Sequence, residues 1–384
     1  MTRKICVVTG SRADYGLLHP VILGISLDLE LELQLVVTGM HLSEEFGSTV
    51  AEIEADGFEI NYKVRTLAKS DSPEGIAKSI ANGIEGCANA FAKLKPDLVV
   101  VLGDRFEIFA AASAALVSRL PIAHLHGGEV TTGAFDEAFR HSITKMSQLH
   151  FVAHEEYRNR VIQLGENPTH VFKVGALGVS NYKPEELLSK IQLEVELGIE
   201  FKEKSLLITF HPVTLEKDTA VEQMNELLEA VETLDDTTLI FTMPNADTGG
   251  QAQMKLIEDF VERHSNSIVF KSLGRVKYLS CLQLVNGVLG NSSSGIIEAP
   301  SFKVGTINIG ERQLGRVQAE SVINCDPKSS SIKLAIENLY EESFQTRLRA
   351  VVNPFGDGNS SQKIVSILKQ VELDNILKKS FHDL

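Results

Sequence analysis

The hydrophobic positions of this chain fall into short runs rich in β-branched residues, separated by amphipathic stretches. In the first half these runs predict strands at Ile5–Thr9, Leu33–Thr38, Leu98–Leu102, Ile122–His124 and Leu149–Val152. The run Leu98–Leu102 is apolar at every position, which is typical of a parallel strand covered by helices on both faces. Strands that alternate with helices predict an α/β fold.

One helix of the first half is clearly delimited. Ser72 can cap it, Pro73 suits its first turn, and apolar residues then recur at helical spacing as far as Leu94. The segment 95–97, Lys-Pro-Asp, ends it, because proline disfavours a helical residue before it.

The second half repeats this alternation, with helices such as Val221–Leu234 between the strands. Its strands are predicted at Ser205–Phe210, Thr238–Met243, Ser267–Phe270, Val285–Leu289 and Gly305–Ile309. The least structured join is near residues 175–178, after a strand at His170–Val174. We therefore predict two Rossmann-like domains facing a cleft, residues 1–176 and 177–360. The last segment, residues 361–384, contains a predicted helix at about Ser360–Leu377. The pattern leaves open whether this helix packs back on the first domain.

Composition narrows the class of partner. The 384 residues are 43% hydrophobic and 23% charged, with a net charge of −14. This charge argues against nucleic acid and anionic membranes, which need a basic surface. The four cysteines lack metal or disulfide spacing, and no apolar stretch approaches the ~20 residues that span a bilayer. We expect a soluble cytoplasmic protein without metal or disulfides.

The most informative motif is the stretch 291–298, Asn-Ser-Ser-Ser-Gly-Ile-Ile-Glu. Ser292, Ser293, Ser294 and Gly295 follow an apolar strand and open a short helix, where hydroxyls and backbone amides suit a phosphate. Glu298, one turn later, suits a ribose diol. A serine-rich helix cap explains the same residues without a ligand. A second glycine turn, with Arg12, follows the first strand and favours the phosphate interpretation; Arg12 as a surface residue is the alternative.

Ionisable residues follow the next strands. Asp104 and Arg105 follow Leu98–Leu102, and Asp104 is either a helix cap or an acid–base carboxylate. His126 and Glu129 come after the following strand. His124 and His126, two positions apart, would share one face of a strand, but a metal site would lack its remaining ligands, and core histidines are the alternative. Asp136 begins a helix, either as an acid–base group or as a complement to the helix dipole.

The second half places comparable residues after its own strands. His211 precedes a proline and therefore ends its strand, Asn245 follows the next one, and Arg312 can neutralise a diphosphate. Each of these residues alone has an ordinary structural explanation. Their joint placement after successive strands predicts one ligand site.

Taken in order, the motifs resemble one family. They are Gly10–Tyr15, Thr38–His41, Gly103–Arg105, His124–Glu129, Asp136–Lys145, Phe210–Pro212 and Asn291–Glu298. Across nearly its whole length the chain resembles the hydrolysing UDP-N-acetylglucosamine 2-epimerases, the first enzymes of bacterial sialic-acid synthesis. The resemblance implies the glycosyltransferase-B architecture, with the nucleotide held mostly by the second domain, no metal or nicotinamide cofactor, and a homo-oligomer, commonly a dimer or tetramer.

The resemblance also implies a reaction. UDP-N-acetylglucosamine and water give UDP and free N-acetylmannosamine. A base removes the C2 proton while UDP leaves C1, water adds at C1 of the resulting glucal, and the C2 proton returns from the opposite face.

Residue roles follow from the same resemblance. Asp104 and Asp136 would be the acid–base carboxylates, and His211 would assist at the leaving group. Arg12, Ser292, Ser293 and Arg312 would hold the diphosphate, and Glu298 would bind the ribose. The UDP-binding set that we predict also includes Arg105, His211, Asn245, Ser294 and Gly295.

One position departs from the family pattern and leaves the base open. Many relatives carry Glu where this chain has His126, so either His126 or the neighbouring Glu129 would take over the proton transfer. Met40 favours the hydrolysing over the non-hydrolysing subtype. The alternatives are the same chemistry on a UDP-2,4-diacetamido-trideoxyhexose, as in legionaminic-acid synthesis, a glycosyltransferase, and a non-catalytic binder of nucleotide sugars.

Overall fold

A computed structural model describes residues 2–43, 48–68, 72–130, 135–179, 186–211, 219–243, 250–271 and 273–384. The chain divides into two compact units. The first comprises Met1–Glu129, Phe135–Ser180 and Gly356–Leu384, and the second comprises Val130–Ala134 and Asn181–Phe355. No helix among the described residues is long and apolar enough to cross a membrane.

The first unit contains a parallel sheet of seven strands in the order β3-β2-β1-β4-β5-β6-β7. The strands are β1 Arg3–Thr9, β2 Leu31–Thr38, β3 Tyr62–Val64, β4 Leu98–Leu102, β5 Ile122–Leu125, β6 Leu149–Val152 and β7 Val171–Lys173. Its helices are α1 Arg12–Leu27, α2 Val50–Ala55, α3 Pro73–Leu94, α4 Phe106–Val117, α5 Asp136–Met146 and α6 Glu155–Gln163.

The second unit contains a parallel sheet of six strands in the order β10-β9-β8-β11-β12-β13. The strands are β8 Lys204–Thr209, β9 Thr237–Thr242, β10 Ser267–Phe270, β11 Gly287–Gly290, β12 Gly305–Ile309 and β13 Val322–Cys325. Its helices are α7 Lys190–Leu197, α8 Ala220–Val231, α9 Gly250–Arg263, α10 Gly274–Leu284, α11 Ser293–Ile297, α12 Ser329–Tyr340 and α13 Glu342–Ala350; α14, Ser360–Gln370, belongs to the first unit.

Local sequence explains several boundaries. The α3 helix begins as predicted, because the Ser72 side chain accepts a hydrogen bond from Gly75 N at 3.2 Å, and it ends at Lys95 in the left-handed conformation. The strand predicted at Val285–Leu289 is shorter, since Val285 N still donates to Cys281 O at the end of α10 and the strand begins at Gly287.

The C-terminal segment packs within the first unit. Ile364 and Leu368 of α14 are fully buried in the same core as Leu18 and Ile22 of α1. The helix ends at Gln370 rather than near Leu377, because the chain becomes extended at Val371. Beyond it, Lys379 Nζ donates to the carbonyls of Lys145 and Ser147, which ties the tail to the end of α5.

Candidate active-site residues at the ends of the two sheets

In the first unit, strands β1, β4 and β5 lie side by side, so the turns that follow them meet at one edge of the sheet. Those turns carry most of the residues singled out from the sequence of this half. Asp104 and Arg105 follow β4, His126 and Glu129 follow β5, and Arg12 begins the helix after β1.

The turn after β1 is organised by a buried carboxylate, Asp14. Its oxygens accept hydrogen bonds from Gly10 N at 2.9 Å and from the Ser11 hydroxyl, and Ser11 caps α1. Burial raises the pKa of Asp14 to about 7, and nearby Glu107 adds to this, whereas Arg105 opposes it. Asp14 lies within the motif Gly10–Tyr15, but the sequence assigns it no role; its position in the capping pattern Ser-x-x-Asp is the available signal.

A second buried carboxylate, Glu107, packs against this turn at Gly10. A Cβ on Gly10 would approach Glu107 Cγ to 2.4 Å, so only glycine leaves room for this side chain. Glu107 Oε1 accepts from Arg105 Nε at 2.7 Å, while Arg105 Nη2 contacts Met40 Sδ at 3.4 Å. The side chain of Arg105 is 42% exposed, so the buried Glu107 holds a partly exposed guanidinium at this edge. No sequence signal separated Glu107 from an ordinary first-turn acid.

The two proposed acid–base carboxylates are linked through charge. Arg140 of α5 donates through Nη2 to Asp104 and through Nη1 to the His126 carbonyl at 2.9 Å. Burial and the nearby negative charge of Asp104 raise the pKa of Asp136 to about 6, although Arg105 and Arg140 lower it. Asp136 is therefore poised to exchange a proton near neutral pH. The ion pair of Arg140 with Asp104 was not predicted from the sequence.

The prediction that His124 and His126 share one face of a strand is wrong. The strand β5 ends at Leu125, and His126 has a φ of 63°, which breaks the alternation of side chains. His124 is fully buried between Gly103 O, at 2.8 Å from Nε2, and the Thr144 hydroxyl. Burial lowers the pKa of His124 to about 3, so it is a neutral core residue. The alternative of a satisfied core histidine describes His124.

His126 has protein groups at both ring nitrogens. Leu177 N donates to Nε2 at 3.2 Å, and Nδ1 lies 2.9 Å from Glu129 Oε1. Both side chains are buried. Both ring nitrogens of His126 therefore face protein groups. Among the described residues, no group of three or more His, Cys, Asp or Glu is placed to hold a metal.

Arg12 is exposed at the first position of α1 and forms an ion pair with Glu52 at 3.2 Å. It is therefore accessible, and an incoming anion would compete with Glu52 for it.

In the second unit, the carboxyl ends of β8, β11 and β12 are adjacent in the sheet and bring His211, Ser292 and Arg312 to the same edge. Arg312 Nη1 donates to the carbonyl of Asn291 at 3.1 Å. Burial, together with the charge of Arg312, lowers the pKa of His211 to about 3. His211 is thus neutral near physiological pH. The remaining predicted residue of this edge, Asn245, lies outside the described residues.

The serine motif forms the start of α11, as predicted. Ser292 caps the helix, and Ser294 is bridged between the Tyr278 hydroxyl, at 2.6 Å, and the carboxylate of Glu298. Burial raises the pKa of Glu298 to about 7, while Ser294 and Arg275 lower it. Glu298 ends the short helix, one turn after Ser294.

The two parallel sheets, with ionisable residues at the carboxyl ends of their strands, place the protein in the α/β class with two Rossmann-like units and a glycosyltransferase-B-like fold. The family model described as UDP-N-acetylglucosamine 2-epimerase matches residues 25–369. The chain belongs to this family, as the resemblance of the motifs predicted, and it is similar to the hydrolysing members.

Relatives with whole-length similarity support this. The chain is 41% identical over 384 residues to the Campylobacter jejuni protein named GDP/UDP-N,N'-diacetylbacillosamine 2-epimerase (hydrolyzing), covering 100% of this chain and 99% of that protein. It is 38% identical to the Escherichia coli polysialic acid biosynthesis protein P7, covering 100% and 98%. It is 36% identical to the Legionella pneumophila UDP-N,N'-diacetylbacillosamine 2-epimerase (hydrolyzing), covering 99% of each.

Solved structures share the fold. The UDP-GlcNAc 2-epimerase from Neisseria meningitidis, bound to UDP-GlcNAc, superimposes with a TM-score of 0.81 at 20% identity, covering 95% of this chain and 99% of that chain.

Proposed function

We propose that the protein is a hydrolysing 2-epimerase whose substrate is a UDP-2,4-diacetamido-trideoxyhexose, the class to which UDP-N,N'-diacetylbacillosamine belongs. The observation that carries this choice is the whole-length identity of 41% and 36% to two enzymes named for that sugar. The substrate given as the alternative in the sequence analysis is therefore preferred to UDP-N-acetylglucosamine.

The first unit is proposed to perform the proton transfers. Elimination requires a base at C2, and re-protonation from the other face requires an acid there. Asp104 and Asp136 supply two carboxyl groups linked by charge, and the pKa of Asp136, raised to about 6, lets it serve in either protonation state near neutrality. Glu129 with His126 is assigned to positioning the chain at Leu177, because both nitrogens of His126 face protein groups.

The second unit is proposed to bind the UDP portion. Arg312, Ser292 and the amides at the start of α11 are cationic or neutral donors that suit the diphosphate, and Glu298 suits the ribose hydroxyls. Neutral His211 beside Arg312 can donate to an oxygen of the leaving phosphate as its charge develops. Arg12 and Arg105 of the first unit and Asn245 are retained as substrate-binding residues in this proposal.

UDP-N-acetylglucosamine is the second candidate. The family description, the 38% identity to protein P7 and the 31% identity to a Neisseria meningitidis UDP-N-acetylglucosamine 2-epimerase favour it. This chemistry would place the product in sialic-acid synthesis.

A proton NMR time course in D₂O separates these candidates. The enzyme is incubated with each UDP-sugar in turn, without acceptor or metal. We expect UDP and the free diacetamido sugar, inverted and deuterated at C2, with kcat/KM at least about tenfold above that for UDP-N-acetylglucosamine. The opposite ratio establishes the second candidate. UDP release that requires an added acceptor sugar would contradict epimerase function and indicate a glycosyltransferase.

A further inference from the structure

One residue of the serine motif, Asn291, joins three segments of the second unit. It is 1% exposed and directly follows β11. Its side chain contacts the end of β8, its carbonyl contacts the turn after β12, and Ser292 is its neighbour in the chain. The residue roles implied by the family resemblance do not include Asn291, and the proposed mechanism gives it no function.

The side chain of Asn291 replaces backbone pairing where the sheet ladder ends. Strands β8 and β11 pair as far as Thr209 opposite Gly290, and Asn291 N donates to Thr209 O at 3.1 Å. Beyond this point, His211 N donates to Asn291 Oδ1 at 2.7 Å, and Asn291 Nδ2 donates to His211 O at 2.8 Å. The amide therefore satisfies both backbone polar groups of a buried residue, as the next peptide of the ladder would.

The main chain of Asn291 fixes the opposite side of the same edge. Its carbonyl accepts hydrogen bonds from Arg312 Nη1 at 3.1 Å and from Gln313 Nε2 at 2.8 Å. A shift of Asn291 would move the acceptor of Arg312 and the backbone of His211 together.

We infer that Asn291 is a positioning residue that sets the spacing between His211 and Arg312 for binding of the UDP diphosphate. It acts through these residues, since its side-chain amide is already engaged with the His211 backbone. The inference rests on the proposed function, because it assigns His211 and Arg312 to the UDP site.

The chain contains a matched control on the neighbouring strand. Asn308 is 3% exposed and pairs with Gly290 across the β11–β12 ladder. Its Nδ2 donates to Asn324 Oδ1 at 2.8 Å, on the edge strand β13. Removing Asn308 deletes a buried amide of the same kind, but the hydrogen bond that is lost leads away from His211 and Arg312.

The first test is calorimetric titration of UDP into the wild type, Asn291→Ala and Asn308→Ala, with thermal unfolding recorded for each. We expect Asn291→Ala to weaken UDP binding about tenfold or more, because two buried backbone groups lose their partners. Asn308→Ala is expected to lower the unfolding temperature while UDP affinity stays within about twofold of wild type. Equal losses of UDP affinity in both variants would overturn the inference.

The second test uses Asn291→Asp. The ionised carboxylate accepts from His211 N but repels the His211 carbonyl, whereas the protonated acid again has one acceptor and one donor. Burial raises the pKa of such an acid, so its protonated form becomes populated as the pH is lowered. Relative to wild type at each pH, UDP affinity of Asn291→Asp should recover as pH falls, and that of Asn291→Ala should not.

Failure of this inference can be distinguished from failure of the proposed function. If Asn291→Asp shows no recovery at acidic pH, the positioning role is overturned while UDP binding by the wild type stands. If the wild type itself does not bind UDP, the proposed function is wrong and the inference falls with it.

Discussion

The carboxyl ends of the two sheets have the same backbone arrangement and opposite chemistry. In the first unit this edge carries a buried carboxyl group, Asp14, and a half-buried one, Asp136. The pKa of Asp14 is raised to about 7 and that of Asp136 to about 6, both chiefly by desolvation. In the second unit, burial instead lowers the pKa of His211 to about 3, which leaves a neutral imidazole beside Arg312.

The difference follows from what burial does to acids and bases. Burial disfavours the charged form. It therefore raises the pKa of a carboxylic acid toward neutral pH and lowers the pKa of a histidine away from neutral pH. The carboxyl groups at the edge of the first sheet can therefore exchange protons near pH 7. His211, Ser292 and Arg312 keep their charge states near this pH. Only Glu298, with a pKa raised to about 7 by burial, titrates near neutrality among the UDP-binding residues assigned to the second unit. We propose on this basis that proton transfer and nucleotide binding are divided between the units.

The largest effect that would test this division is expected at the carboxylates. Asp104→Asn and Asp136→Asn should each reduce turnover by about 10²-fold or more, since each removes a general acid–base group, and each should retain UDP binding. Steady-state kinetics and UDP titration measure the two effects separately. Asp97→Asn is the control, because Asp97 lies at the other end of β4 and accepts from Lys4 N at 2.8 Å. Full turnover in both active-site variants would remove the carboxylates from the mechanism.

A smaller effect, on UDP binding rather than on turnover, is expected in the second unit. Arg312→Ala should weaken UDP binding about tenfold or more, because a hydrogen bond to a charged group is lost, and Ser292→Ala should weaken it less. Equilibrium titration with UDP measures both. Arg347→Ala, an exposed arginine on α13, controls for loss of a positive charge in the same unit. Unchanged UDP affinity in Arg312→Ala would contradict the assignment of the diphosphate to this edge.

Much of this arrangement was predictable from the sequence, because it depends on local patterns. The apolar runs located most strands, Ser72 and Pro73 located the start of α3, and polar residues after strands located both candidate edges. The strands β3 and β13 were missed; each is short and lies at the edge of its sheet, so neither has a long apolar run.

What the sequence did not predict depends on packing between distant segments. The burial of Glu107 requires the absence of a side chain at Gly10, which belongs to another turn of the same edge. The separation of His124 from His126 requires the left-handed backbone of His126, a conformation that strand periodicity does not reveal. Asn291 adjoins the recognised serines, but these four hydrogen bonds join it to His211, Arg312 and Gln313 in two other segments.

The smallest expected effect concerns the pH dependence of the first unit. If Asp136 acts as a base in its ionised form, kcat/KM falls as pH drops below its pKa of about 6, because the raised pKa keeps the group protonated there. Arg105 is one of the charges that lower this pKa, so Arg105→Gln should displace the acid limb toward higher pH. The control is Arg12→Gln, which also removes a proposed substrate-binding arginine but is not among the groups that shift the pKa of Asp136. It should lower the maximum of kcat/KM and leave the limb in place. A limb that moves equally in both variants, or moves toward lower pH in Arg105→Gln, would assign the titration to a group other than Asp136.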